Sequence, residues 1–244
     1  MITEKLKSKL LEIPFNTYFA RSVLEGHVEG DVLFDNENDP SAAYVQHKYG
    51  MSLLWGDCNN EEFNIRLKRF LDNRQESTWA QVYPVNWGGF MQGISEQITS
   101  RLNFDFLPEM FEKNNKSLNM QSVRKATLDE AKNFTGRVVP SNFWKEAHLP
   151  MCVSYVAIAN DEAASIAYSS YIHENIIEIG IETVDAHRGK GFAQLACAGL
   201  IRHILNTKCV PVWSCRVDNI ASLKLAEKLG FIETLKLPYY IIKK

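Results

Sequence analysis

The stretch VDAHRGKGFAQL, Val184 to Leu195, decides how this chain is read. It lies between an apolar, strand-like run, IIEIGIETV, and a run that is apolar almost all round, FAQLACAGLIRHILN. Phe192, Leu195, Ala196, Leu200 and Ile204 make the second run a buried helix. A strand, a glycine turn and a helix together build an anion site. The first amides of a helix lack internal partners and carry the positive end of its dipole. Glycines keep side-chain bulk away from an approaching phosphate, and Arg188 and Lys190 add formal charge. Taken alone, a Gly-x-Gly is as readily a plain turn before a helix.

Spacing rejects two common nucleotide loops. A P-loop continues from its second glycine into Lys and a hydroxyl residue, whereas Gly191 is followed by Phe192. A dinucleotide loop needs a third small residue where Gln194 stands, and an acidic residue roughly 20 positions on. NTKCVP supplies none there.

Upstream of the turn, VRKAT, MCVSYVAIAN, ASIAYSSYIHE and IIEIGIETV read as strands whose short connections imply an antiparallel meander, with LDEAKNFTG a short helix. Downstream, VPVWSCRV is a strand, NIASLKLAEKLG a helix with Asn219 near its start and Gly230 closing it, and FIETLKLPYYII a last strand region.

The first half reads as a smaller α/β unit of its own. EKLKSKLLEI and NTYFARSVLEG are helical, the second closing at Gly26. GDVLFD, AAYVQHKYG and MSLLWGD are strands. NNEEFNIRLKRFLDN sets Phe63, Leu67, Phe70 and Leu71 on one helical face. WAQVYP is a strand and NWGGFMQGISEQI a helix. The polar segment FEKNNKSLNMQ, Phe111 to Gln121, reads as a linker or exposed crossover. It divides the chain into domains 1–116 and 117–244, with the boundary near Lys116. The expected fold class is α/β (α+β): a central mixed, mostly antiparallel sheet flanked by helices in the second domain.

The composition narrows the function. The chain has 244 residues, 45% hydrophobic and 23% charged, with a formal charge of −2. That balance suits a globular protein and lacks the broad positive field that nucleic acid requires. Five cysteines, with no C-x-x-C spacing, argue against a zinc site or a disulfide framework. No window approaches the ~18 apolar residues of a membrane span, and the first residues lack the apolar core of a signal peptide. The expectation is a cytoplasmic protein with no metal, no nucleic acid and no membrane partner, a monomer or homodimer.

The pattern that does fit resembles the acyl-CoA loop of the GNAT N-acetyltransferase superfamily, R/Q-x-x-G-x-G/A between a strand and a helix. Arg188, Gly189, Lys190, Gly191, Phe192 and Ala193 match it, with Val184 at the usual valine of the preceding strand. Asn219, Ser222, Leu225, Glu227, Lys228, Gly230 and Phe231 resemble the second CoA motif of that superfamily. The likeness covers about Gln121 to Ile242. In the first half, NTYFARSVLEGHVEGDVLFDNENDPSAAYV and YGMSLLWGDCNNEEF look like the leader domain of the group that includes the zwittermicin A resistance acetyltransferase. This makes a degenerate GNAT-like half one reading of that unit, and a contribution to the acceptor site one of its expected roles.

The resemblance implies acetyl-CoA as cosubstrate. Its pantetheine arm would lie along Ile181, Glu182, Thr183 and Val184, and its pyrophosphate on the loop amides from Arg188 to Ala193. Asn219 and Ser222 would approach the arm from the next helix. A primary amine of a small molecule would attack the thioester directly. An alkylammonium has a pKa near ~10, so a base must take its proton at pH 7. A buried carboxylate can do this. Glu178, charged among apolar residues of IIEIGIETV, is the candidate, though an outward-facing strand glutamate would give the same pattern. Glu182 shares its face by alternation and is the fallback.

Ala226 departs from the family pattern, since many relatives carry there a tyrosine that protonates the departing thiolate. Cys215 and Tyr168 are the substitutes, and the acid stays unassigned. Trp213 reads as core, His203 as a structural residue of the buried helix, and His187 as either phosphate contact or exposed turn. Two other functions remain open at this point: an acyl-CoA-binding sensor without chemistry, and an acetyltransferase for protein lysines or N-termini.

Overall fold

The computed structural model describes residues 2–244, and of Ile2 the backbone only. In chain order the elements are α1 (Ile2–Leu10), α2 (Tyr18–Leu24), β1 (Gly30–Phe34), β2 (Ala42–His47), β3 (Met51–Gly56), α3 (Glu61–Asp72), β4 (Thr78–Tyr83), α4 (Gly88–Gln92) and β5 (Gln97–Phe106). There follow α5 (Pro108–Asn115), β6 (Val123–Lys125), α6 (Leu128–Asn133), α7 (Pro140–Phe143), β7 (Ser154–Ala159), β8 (Glu162–His173) and β9 (Ile176–Thr183). The last are α8 (Phe192–Asn206), β10 (Val210–Arg216), α9 (Ile220–Lys228) and β11 (Phe231–Ile242). The mixed α/β architecture expected from the patterning is present.

The chain forms two compact units. One comprises the chain up to Leu102 with Arg216–Asp218 and Leu235–Lys244; the other comprises Asn103–Cys215 and Asn219–Thr234. In the first, β1, β2 and β3 form an antiparallel meander. Helix α3 then returns the chain so that β4 runs parallel to β3, and the end of β11 adds antiparallel to β4. Phe63, Leu67 and Leu71 project from α3 onto Tyr44, Leu54 and Ala80, and Tyr240 and Ile242 of β11 complete the same core. Phe70 of the expected face is only partly buried.

The second unit repeats that order of elements. β6, β7, β8 and β9 are antiparallel neighbours, α8 follows, and β10 runs parallel to β9. Helix α8 packs on β6, β7 and β8, close enough that a Cβ on Gly199 would meet Val123 Cγ1 at 2.7 Å and Tyr155 Cδ1 at 3.0 Å. Helix α6 is fixed at its start by a reciprocal cap: Thr127 accepts from the Glu130 amide, and Glu130 from the Thr127 amide. The outer strand is thereby anchored too, because Arg124 of β6 donates two bonds to Glu130.

Three stretches differ from the sequence expectation. Phe111–Gln121 begins inside α5, with Phe111 and Asn115 fully buried. Asn115 earns that burial by bonding: its side chain donates to the carbonyls of Phe111 and Lys228 and accepts from Gln194. The helix expected over NWGGFMQGISEQI is cut to Gly88–Gln92, and the chain is already in β5 at Gln97. Pro140–Met151 carries two short helical turns that no strong periodicity announces.

Candidate active site

Strands β9 and β10 run side by side for only three residue pairs, Ile176 with Val210, Ile177 with Pro211 and Glu178 with Val212. Beyond Glu178 the ladder stops, although β9 continues to Thr183 and β10 to Arg216. The two strands therefore diverge, and β9 presents an edge that β10 does not cover. On its other side β9 stays fully laddered to β8, with one irregularity where Ser170 is extra between Ser169 and Tyr171. Parallel strands of equal length would ordinarily zip to their ends. The corresponding pair in the first unit does so: β3 and β4 stay in register from Met51 with Trp79 to Trp55 with Tyr83.

At the point of divergence sits Glu178, 7% exposed. Its Oε1 accepts a hydrogen bond from the hydroxyl of Ser214, at 3.1 Å. A carboxylate so enclosed is costly unless hydrogen-bonded, and Ser214 meets part of that demand. Alternation puts Ser214 and Val212 on one face of β10 and Trp213 and Cys215 on the other. Trp213 there donates to Ser222 of α9 and packs on Phe231, as core.

Glu182 is held differently. Its Oε2 accepts from the amides of Arg137 and Val138, both at 2.9 Å. Its Oε1 accepts from the Thr183 amide at 3.2 Å and faces Arg188 Nη2 at 3.4 Å. Between the two glutamates lies Gly180, whose absent Cβ makes room for the ring of Tyr168, 2.4 Å from where that atom would be. Tyr168 is fully buried and meets Phe143 of α7 edge-on at 5.7 Å.

The turn after β9 leads straight into α8. Gly189 and Gly191 adopt φ of 76° and 87°, a left-handed backbone that side chains disfavour, while a Cβ at either would meet nothing within 4 Å. Conformation, not crowding, is what demands glycine there. Gly191 is the N-cap of α8 and offers no side chain to it, so the first-turn amides point outward uncapped. Gly189, Lys190 and Gly191 are exposed. The Arg188 amide is not among the open donors, because it bonds Asp185 O at 3.2 Å. Its guanidinium, 64% exposed, pairs with Asp185 at 3.0 Å. His187 packs edge-on against Phe192 at 5.4 Å.

These residues fit a phosphate-bearing ligand: open amides, a helix dipole and two basic side chains meet at one exposed turn. The β3–α3 turn of the first unit is closed to an anion. There Asn60 caps α3 with its own side chain, and Glu61 and Glu62 fill the first turn with negative charge.

The other expected contacts are partly occupied. The Glu182 carbonyl accepts from Ser165 and the Val184 amide donates to Ala164. The Asn219 side chain caps α9 through the Ser222 amide. Ala226 is fully buried and offers no hydroxyl. Burial pushes the Cys152 thiol up to about 11 and Cys197 higher still, so neither is a thiolate at neutral pH. His203 lies 5.8 Å from Tyr155, and its pKa is lowered by burial and by Lys125. Among the described residues there is no cluster able to hold a metal, and no helix long and apolar enough to cross a membrane.

The family model for GNAT acetyltransferases matches residues 9–240, nearly the whole chain and both units. The chain belongs to the GNAT acetyltransferase family. It is an N-acetyltransferase, and GNAT acetyltransferases draw their acetyl group from acetyl-CoA and pass it to amines. An uncharacterized N-acetyltransferase of Bacillus subtilis, YdfB, is 21% identical over 94% of this chain and 93% of its own length. A GCN5-related N-acetyltransferase-like protein from Streptococcus suis shares the fold over the full length of both chains, at 17% identity and a TM-score of 0.75. A tandem GNAT protein from the clavulanic acid biosynthesis pathway matches 99% of this chain and 94% of its own, at 8% identity and a TM-score of 0.63.

Ser214 is the site residue that sequence reasoning missed. Its signal is slight: one hydroxyl, on the less buried alternation of VPVWSCRV, whose importance depends on a register that only the folded sheet reveals.

Proposed function

We propose that the chain acetylates a primary amine of a small molecule, with acetyl-CoA as donor and Glu178 as general base. The carrying observation is the divergence of β9 from β10 at Glu178, one strand length from the uncapped start of α8. Acetyl-CoA supplies an activated thioester carbonyl. The amides from Gly189 to Ala193, with the Arg188 and Lys190 side chains, hold its pyrophosphate. The uncovered edge of β9, Ile181 to Val184, takes the pantetheine arm, and α9 approaches it with Asn219 and Ser222. Glu178 accepts the proton of the incoming ammonium, so that a neutral nitrogen can form the new C–N bond as the C–S bond breaks; the proton that the acylated nitrogen then sheds passes through solvent to the departed thiolate. The CoA thiol has an ordinary pKa near ~8.5, so its thiolate leaves without a dedicated acid, consistent with Ala226. Tyr168, on the Glu178 face, is better placed than Cys215 to approach it.

Glu178 is favoured over Glu182 because the Glu182 carboxylate is already bonded to backbone amides. The first half of the chain, similar in pattern to the leader of the zwittermicin A resistance group, supports a hydrophilic amine as acceptor. In this reading the domain of residues 1–116 helps to select the acceptor and residues 117–244 carry the transfer, in a cytoplasmic monomer or homodimer. CoA release followed over time against a panel of hydrophilic amines tests the proposal. Tight acetyl-CoA binding with no turnover on any amine would reject it in favour of a sensor. Acetyl incorporation into protein lysines alone would reject the small-molecule acceptor.

A further inference from the structure

Glu182 ties together two segments that lie far apart in the chain. One carboxylate oxygen receives the Arg137 and Val138 amides, and the other faces Arg188 at the start of the CoA loop. The connection from α6 to α7 is drawn onto β9 at this point. Gly136 makes the approach feasible: with φ of 149° and no Cβ, it passes where that atom would lie 2.5 Å from Glu182 Cγ. Helix α7 then lays Phe143 on Tyr168, and Trp144 Nε1 donates to Ser169 O at 2.7 Å. Glu178, Gly180 and Glu182 share one face of β9, so the latched connection walls the same face that carries the base.

We propose that Glu182 is a positioning residue, which holds the Phe134–Val139 connection as a wall of the amine site and takes no part in proton transfer. The proposal rests on the Glu178 reading above. Two amides on one carboxylate oxygen are charge-assisted bonds in a mostly enclosed place, with the Glu182 side chain 12% exposed. Losing them removes two of the bonds that hold this connection, leaving the Asn142 side-chain amide on the Arg137 carbonyl and the buried Val139 to retain it.

The test uses Glu182→Ala and Glu182→Gln in the full chain. Alanine removes the acceptor; glutamine keeps one oxygen able to receive the amides but cannot serve as a base. Trypsin cleavage after Arg137, followed by the peptide it releases, reads the latch without any acetyl transfer. The expected result is cleavage about tenfold or more faster in Glu182→Ala, the scale of one charged hydrogen bond. Glutamine should restore most of the protection. With an acceptor in hand, the alanine variant should raise its KM about tenfold while changing kcat far less. Affinity for acetyl-CoA should not weaken, because Arg188 loses a competing carboxylate. Unchanged cleavage in Glu182→Ala overturns the proposal. So does a kcat equally lost in both variants and recovered at high pH, which would make Glu182 the base. Should Glu182→Ala not fold, Gly136→Ala displaces the same carboxylate, and the same cleavage assay decides. If no amine is ever acetylated, the cleavage result still stands on its own.

Discussion

Ser214 donates its hydroxyl to Glu178 Oε1 at 3.1 Å, joining β10 to β9 just where their ladder ends. The bond lies where the two strands part, so Ser214 helps to fix the carboxylate at that point. Removing the charge while keeping the shape, as in Glu178→Gln, should lower the rate at neutral pH by roughly 10²-fold or more. Much of the loss should return at high pH, where the amine deprotonates unaided. CoA affinity should be nearly intact. Wild-type turnover in this variant would show that Glu178 is not the base.

Ser214→Ala should lower kcat by several-fold, less than loss of the carboxylate, since it removes only the group that aims it. Steady-state kinetics on both single variants and the double variant check this. If Glu178→Gln is no further impaired by Ser214→Ala, the hydroxyl acts through the carboxylate. Additive losses would give Ser214 an independent role.

Gly191→Val should fold and lose most acetyl-CoA binding. Open space surrounds the position, so there is no clash with the protein itself. A β-branched residue at φ of 87° is strained, however, and the strain is relieved by turning the loop amides away from a phosphate. Calorimetric titration decides it, and unchanged affinity would reduce the loop to a turn.

Acetyl-CoA should raise the melting temperature, and NAD and ATP much less. Binding to the folded state alone adds about 2.7 kcal/mol at a hundredfold excess over Kd. Equal shifts from NAD would contradict a loop matched to CoA.

His47, 1% exposed, accepts from the Tyr49 amide, and burial depresses its pKa to about 3. The imidazole is neutral when folded but gains a proton near ~6.5 when unfolded. The unfolded chain thus binds the extra proton between those values, and stability falls as pH drops from about 6.5 towards 3. The slope from this group is at most about 1.4 kcal/mol per pH unit. Urea melts at pH 7.5 and 5 should show the loss, and His47→Gln should reduce it. An identical pH response in the variant would place the proton elsewhere.

The sequence disclosed the periodic elements and the glycine turn before α8 because their causes are local. Gly189 and Gly191 are set by backbone conformation, and the α8 run by its own apolar pattern. The setting of Glu178 was only half legible: its charge among apolar neighbours marked it, but its burial comes from register with β10. Glu182 looked equivalent by alternation. What separates the two is the Arg137–Val138 backbone, more than forty residues earlier in the chain. Asn115 misled for the same reason. A polar side chain reads as solvent-facing until its partners, Gln194 and the Lys228 carbonyl, are brought to it.

Tyr240 and Ile242 belong to the core built on α3, alongside Phe63 and Leu67. On the ribosome, residues up to Leu102 emerge long before that closing strand exists. Until it arrives, the Thr78–Tyr83 strand lacks its antiparallel neighbour, and the apolar face of α3 lacks part of its cover. The earlier-translated of the two units therefore waits for the later strand, and a release delayed just before Tyr239 would leave an open sheet edge for chaperones to guard.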